Sequence, residues 1–331
     1  MFLDFLPIIL VFTASFGVTF VVTPFIIKRM QLRGITGKDM NKSNSPQIAE
    51  MGGIGIIFGF SLGIIISIFI STYLKLIEIN LTIFLAMFMT VLLIGFIGLV
   101  DDLIGWRKGI RQWQHALFPI FAALPLMAIS VGDTSMSIPF IAIVELGIFY
   151  SLIIVPLGIT GASNAFNMLA GMNGLEAGLG ALIISTLLYF SFISGNVEVI
   201  FFLIAMLGAI LAFLKFNWFP AKIFPGDSLT LMLGATVATS VIVGGIEKIG
   251  VMLMTLFFVE LVFKAKHNFQ SHCFGIPQKD GTLKPRPEGG SLTQWIMKKG
   301  SFTEKQVTGI ILGSQAIICV LTIILINSGL I

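Results

Sequence analysis

The sequence predicts an all-α membrane protein with about ten transmembrane helices and both termini outside. Three observations carry that expectation. Of 331 residues, 56% are apolar and 11% charged, under half the roughly 25% charged content of a water-soluble domain. Mean hydropathy is +1.01. The basic residues also segregate onto alternate connections between the apolar runs, as described below. Disorder, a coiled coil and a cytosolic enzyme are excluded by this composition. Cys273 and Cys319 exclude a disulfide framework, and their spacing matches no metal site.

Apolar runs cover 4–27, 52–73, 79–100, 113–131, 138–160, 174–194, 197–215, 228–246, 249–265 and 307–328. Each is near the ~20 residues that cross about 30 Å of hydrocarbon. Such segments must be helical, because lipid offers no partner to an open strand edge. The first run has Asp4 near its start and Lys28 and Arg29 at its end, and lacks a small-residue cleavage site. It reads as a retained span and not a signal peptide.

Lys and Arg set the orientation. Eighteen of the 20 basic residues follow odd-numbered runs: Lys28, Arg29, Arg33, Lys38 and Lys42, then Arg107, Lys108 and Arg111, then Lys215 and Lys222, then eight from Lys264 to Lys305. Lys75 and Lys248 alone lie on the other side. The positive-inside rule puts the basic loops in the cytoplasm. The chain reads as one integral domain, 1–331, in the cell membrane. Loops 28–51, 101–112, 161–173, 216–227 and 266–306 form its active cytoplasmic face.

Gly55, Gly59, Gly63, Gly95 and Gly98 read as small residues that let helices pack closely. Gly52 and Gly53 follow a polar loop at the membrane edge, where backbone without Cβ can approach a ligand. Asp101 and Asp102 end the third span, where the helix dipole disfavours acids; a divalent cation or a basic cluster would relieve them. Asn164 and Asn167 fall three apart on one helical face, and amide carbonyls suit hard cations. Asn173 and Glu176 have the spacing of a helix cap. Asp227, just before the eighth span, is either a cap or a ligand. Acids, amides and glycines gathered on a basic face fit an anionic substrate bridged to carboxylates by Mg²⁺. Zinc is disfavoured by the absence of a His/Cys set. A transporter is the rival class, but its acids belong at mid-membrane on repeated, broken helices. Here Glu145 and Glu260 are the acids within spans, and no repeat is visible.

These motifs resemble the polyprenyl-phosphate N-acetylhexosamine-1-phosphate transferases over the whole chain. The resemblance rests on Met51-Gly52-Gly53, on Asp101-Asp102, on Asn164-x-x-Asn167 through Asn173-Gly174, and on Phe224-Pro225-Gly226-Asp227. Ala170 and Asn173 stand where bacterial members usually carry Asp. The run Ala170 to Gly178 and the Gly37–Lys42 loop resemble the eukaryotic and archaeal branch, and the compact loops fit an archaeal member. That branch moves GlcNAc-1-phosphate from UDP-GlcNAc to dolichyl phosphate, releasing UMP, as the first step of N-glycan assembly. The resemblance keeps open another UDP-HexNAc or an undecaprenyl-type lipid.

By resemblance, Asn167 and Asp227 hold Mg²⁺, with Mn²⁺ an allowed substitute. Asp101 is the base or lipid-phosphate organiser and Asp102 a supporting carboxylate. Asn164, Gly171, Met172, Asn173 and Glu176 border the nucleotide sugar, as do Glu50, Gly52 and Gly53. Lys38, Arg111, Lys222, Lys266 and His272 are candidates for phosphate or sugar contacts. His115 replaces a family lysine, with Arg111 close by. His272 stands where relatives carry an Arg/His-rich motif. Direct attack by the lipid phosphate and a covalent route through Asp101 both remain open. The expected partners are the nucleotide sugar, the prenyl phosphate and membrane lipid, with no nucleic acid; relatives commonly form homodimers.

Overall fold

The computed structural model describes residues 5–105, 117–132, 135–137 and 143–330. Eight of its helices are long and apolar enough to cross a membrane, which makes the chain a membrane-embedded helical protein. In order the helices are α1 (Phe5–Arg33), α2 (Gly53–Phe69, prolonged by a wide turn over Ile70–Leu74), α3 (Leu81–Gly105), α4 (Pro119–Ala122), α5 (Leu124–Ala128), α6 (Val155–Met168), α7 (Leu175–Ser194), α8 (Val197–Asn217), α9 (Gly226–Gly244), α10 (Glu247–Leu253), α11 (Thr255–Lys266), α12 (Leu292–Met297) and α13 (Glu304–Asn327).

The expected spans hold for seven runs and depart in three places. In the fourth, 113–131, the described part is broken into α4 and α5, each with a proline in its first turn; Pro119 and Pro125 withhold the amide that a continuous helix needs. The fifth run begins later than expected. Ser135–Ser137 pairs antiparallel with Ile143–Glu145, so Glu145 lies on a strand, and the helix through this stretch covers Tyr150–Met168. Asn164 and Asn167 are therefore on the last turns of a helix and not in a 161–173 loop. The ninth run is divided at Met254 into helices of 7 and 12 residues. At that break the Gln315 side chain of α13 donates to the Leu253 carbonyl at 3.0 Å, satisfying a group the broken ladder releases.

Helix α9 occupies the centre of the bundle. Every residue from 228 to 242 is buried, and it packs on α2, α3, α6, α7 and α8. Glycine makes those approaches. A Cβ on Gly98 would lie 2.6 Å from the Asp227 carbonyl, and one on Gly95 2.6 Å from Met232 Sδ. Gly234 sits against the Ala162–Ser163 backbone of α6. On the other flank Gly55 and Gly59 meet Thr23 and Thr19 of α1, and Gly63 meets Ala205 of α8. The packing role expected for these small residues is what the fold uses.

Candidate active site

Helix α9 runs antiparallel to α3 and α6, so its N-terminal end meets their C-terminal ends. Asp102 on α3 accepts from the backbone N–H of Asp227 at 2.7 Å through Oδ1. Its Oδ2 takes the Ser228 N–H at 3.2 Å and the Ser228 hydroxyl at 2.8 Å. The cap position of α9 is Pro225, which offers no side-chain acceptor, so a carboxylate from a neighbouring helix does that work at the positive end of the dipole. Asp102 is thus a bracket that places Asp227. Asp227 itself lies inside the first turn and is not the cap. Asp101, next in the chain to this bracket, is buried.

The Gly234 contact fixes α6 alongside. Seven residues back from Gly234 is Asp227, and five residues on from Ala162 is Asn167. Antiparallel packing brings these two toward one level. Asn167 is half-buried, as are Asn164 and Asp227. Asn164 Nδ2 donates to the Thr160 carbonyl of its own helix at 2.9 Å.

Glu50 arrives from a third direction. Strand β1 (Thr36–Lys38) pairs with β2 (Gln47–Ala49), and the chain then zips onto the segment leading into α9. Phe224 N–H donates to the Ala49 carbonyl at 2.8 Å, and Gly52 and Gly53 N–H donate to the Phe224 and Pro225 carbonyls at 2.9 Å each. Burial and the Asp227 carboxylate together raise the Glu50 pKa above its ordinary value, so the two acids share one electrostatic environment. Gly52 and Gly53 are buried, however. A Cβ on Gly52 would lie 2.5 Å from the Phe213 ring, and one on Gly53 2.7 Å from the Leu229 amide. They permit protein–protein contact here and do not line an open ligand surface.

The segment after α6 has the same character. The Asn173–Glu176 cap is not formed: the cap residue of α7 is Gly174 in the left-handed region, without a side-chain bond. Asn173 instead ties four segments together. Its Oδ1 accepts from Ala221 N–H at 2.8 Å and from Lys42 Nζ at 3.0 Å, its Nδ2 donates to Asp39 at 3.2 Å, and its N–H donates to Glu304 at 2.8 Å. Lys42 also pairs with Asp39 and Glu304. Glu176 accepts the Gly171 N–H at 2.6 Å. Asn41 donates to the Gly171 carbonyl and accepts the Gly275 N–H, both at 2.9 Å. Met172, Asn173 and Glu176 are all buried by this network, leaving Gly171 as the exposed member of the set. The Gly37–Lys42 loop thus meets Glu304 of α13; the buried network centred on Lys42 joins segments far apart in the chain, and no local pattern marks their pairing.

The basic candidates are dispersed. Lys38, Lys222 and Lys266 are exposed. His272, also exposed, stacks on Phe274 with ring centres 4.9 Å apart, and the Arg286 guanidinium covers the same ring at 4.6 Å. Arg111 and His115 lie outside the described residues. Lys264, two residues before Lys266, is buried instead; the Glu260-x-x-x-Lys264 spacing is that of a helical ion pair, and the two charges stand 3.6 Å apart.

A groove of about 1090 Å³ runs along α6, α9, α10 and α11. Its walls are mostly apolar, including Leu157, Val237, Val241, Phe257 and Leu261. Asn164, Asn167, Lys264 and Asn268 line one end, Tyr150 and Glu247 the other. The Tyr150 hydroxyl donates to Glu247. Among the described residues no cluster of three or more His, Cys, Asp or Glu side chains is arranged to hold a metal. Carboxylate and amide oxygens of this kind suit Mg²⁺, which is commonly bound by one or two carboxylates together with substrate phosphates and water.

Helix α6 thus carries Asn164 and Asn167 to the apolar groove, while α3 carries Asp101 and Asp102 to the end of α9 that bears Asp227 in its first turn. The family model described as glycosyl transferase family 4 matches residues 84–245, which include Asp101, Asn164, Asn167 and Asp227. A Saccharolobus solfataricus protein named UDP-N-acetylglucosamine–dolichyl-phosphate N-acetylglucosaminephosphotransferase is 38% identical over 97% of both chains. A Sulfolobus acidocaldarius protein of the same name is 36% identical over 98% of both. A Limosilactobacillus reuteri protein named phospho-N-acetylmuramoyl-pentapeptide-transferase is 29% identical over 71% of this chain and 74% of its own. The chain belongs to glycosyl transferase family 4.

Proposed function

We propose that the chain transfers N-acetylglucosamine-1-phosphate from UDP-GlcNAc to dolichyl phosphate, giving a GlcNAc-diphospho-lipid and UMP. The observation that carries this reading is the near full-length similarity to two archaeal proteins named for that reaction. The close packing of α3 and α6 on α9, which carry Asp101, Asn167 and Asp227, supports it. The weaker similarity to a bacterial protein named for a muramoyl-pentapeptide transfer favours, as second reading, the same chemistry on another UDP-HexNAc or another prenyl phosphate. On this reading the enzyme lies in the cell membrane in the ten-span arrangement, with both termini outside and the site facing the cytoplasm; the collection of the basic loops on one side supports it.

Asp227 and Asn167 would hold Mg²⁺. When bound, the cation supplies charge neutralisation between the two phosphates and stabilises the departing UMP. A phosphate monoester has its second pKa near ~6, so the lipid phosphate reaches the site largely as a dianion. Alignment and screening then matter more than deprotonation. In the direct route a lipid phosphate oxygen bonds to the sugar-bearing phosphorus. The bond from that phosphorus to the bridging oxygen breaks, and UMP leaves with that oxygen and its electron pair. Asp101 would orient the lipid phosphate or take its remaining proton, and Asp102 acts by holding Asp227. The groove suits a prenyl chain, since its walls are apolar and its polar end adjoins Asn164 and Asn167. Purified protein given labelled UDP-GlcNAc, dolichyl phosphate and Mg²⁺ should move label to the organic phase with release of UMP. Labelled transfer from a different UDP-HexNAc, with none from UDP-GlcNAc, would select the second reading.

A further inference from the structure

We propose that Lys264 receives the phosphate head of the prenyl acceptor at the polar end of the groove, an inference that rests on the transfer reading above. Among the described residues Lys264 is the one cation lining that groove. The acid in the lining is Glu247, at the opposite end, where Tyr150 bonds it. An elongated lipid carrying a terminal anion meets attraction at one end and a carboxylate at the other. The charges therefore set its direction, head at Lys264 and tail toward Glu247.

Lys264 also has donors to offer. It is 7% exposed and stands on the last turn of α11, which packs on the helix carrying Asn164 and Asn167. Its Nζ donates to the Ser271 carbonyl at 2.6 Å, while Glu260 Oε1 is 3.6 Å away, beyond a good hydrogen bond. An ammonium has three N–H donors, so capacity remains for an oxyanion. Glu260 is engaged elsewhere: it accepts from the Leu292 N–H at 2.7 Å and the Ser291 hydroxyl at 3.1 Å. Those donors draw on the Glu260 charge, so this acid steers Lys264 without saturating it. The Ser271 bond joins the same ammonium to the loop after α11, linking acceptor binding to that loop.

The nucleotide sugar also carries phosphate, and kinetics separates the two sources. Dolichyl phosphate is varied at saturating UDP-GlcNAc, then UDP-GlcNAc at saturating dolichyl phosphate, for wild type, Lys264→Met, Lys264→Arg and Glu260→Gln in detergent with Mg²⁺. Loss of one charge-assisted contact should raise the acceptor KM of Lys264→Met about tenfold or more, with the UDP-GlcNAc KM changed less than about twofold. Lys264→Arg should recover most of the acceptor KM, and Glu260→Gln should raise it to a smaller extent. An unchanged acceptor KM in Lys264→Met, or an equal rise in both KM values, overturns the assignment while the active wild type upholds the transfer reading. Should Lys264→Met fail to fold, an acceptor KM unchanged in Glu260→Gln overturns the assignment and a selective rise supports it. A folded wild type that transfers nothing overturns both.

Discussion

Asp102 grips the first turn of α9 with both carboxylate oxygens, and the turn it grips is the one that carries Asp227. The two acids therefore have different duties: Asp102 holds the helix end, and the proposed reading assigns Asp227 to the cation. Asp102→Ala removes the acceptor for three donors and should lower stability by about 1–3 kcal/mol. It should also reduce turnover by misplacing Asp227. Asp227→Ala should abolish turnover with little change in melting temperature. Paired thermal melts and activity measurements check the contrast.

Helix approach at Gly98 should be equally demanding. An added Cβ would lie 2.6 Å from the Asp227 carbonyl and the Ser228 Cα, both backbone atoms that move only with their helix. Gly98→Ala is expected to cut turnover tenfold or more by the ~1 Å displacement it forces. Gly309→Ala, with nothing within 4 Å of its Cβ, should leave turnover unchanged.

The Lys42 network predicts a stability effect. Asp39 and Glu304 are nearly fully buried, and Lys42 is 18% exposed. Removing the cation leaves two buried carboxylates facing each other. Lys42→Met should destabilise by about 1–3 kcal/mol, less than for a wholly buried pair. Adding Glu304→Gln should recover part of that loss, and a double-mutant cycle on melting temperatures reads the coupling.

Cys273 offers a pH test. Burial, with a lesser contribution from the Glu260 carboxylate, pushes its thiol up to about 11. The thiolate is the reactive form, and a raised value makes it scarcer, on the order of one in a thousand at pH 8. Folded protein should resist maleimide at pH 8 and label at both Cys273 and Cys319 after denaturation. Rapid labelling of native Cys273 would contradict its placement.

Much of this fold was legible because hydrocarbon leaves few options: long apolar runs became helices, and the glycines at four-residue spacing became contact points. In three places chain chemistry overrides apolarity. Pro119 and Pro125 interrupt one run, the strand Ile143–Glu145 stands within another, and Gln315 stabilises a break in a third. At the site, Asp227, Asn167 and Asp101 could be picked out as polar groups at span ends. The duties of Asp102, Gly52, Gly53 and Asn173 could not, because each is decided by a partner distant in sequence. Asn173 has the spacing of a local cap, yet its bonds go to Asp39, Lys42, Ala221 and Glu304.

The central claim is that Asp227 joins the nucleotide-sugar diphosphate through a divalent cation, and calorimetric titration of UDP-GlcNAc into wild type and Asp227→Ala addresses it. Wild type should bind at least about tenfold tighter with Mg²⁺ than with EDTA, and Asp227→Ala should show no difference between the two. Equal affinity of wild type in both buffers, or an undiminished Mg²⁺ effect in Asp227→Ala, would contradict the account.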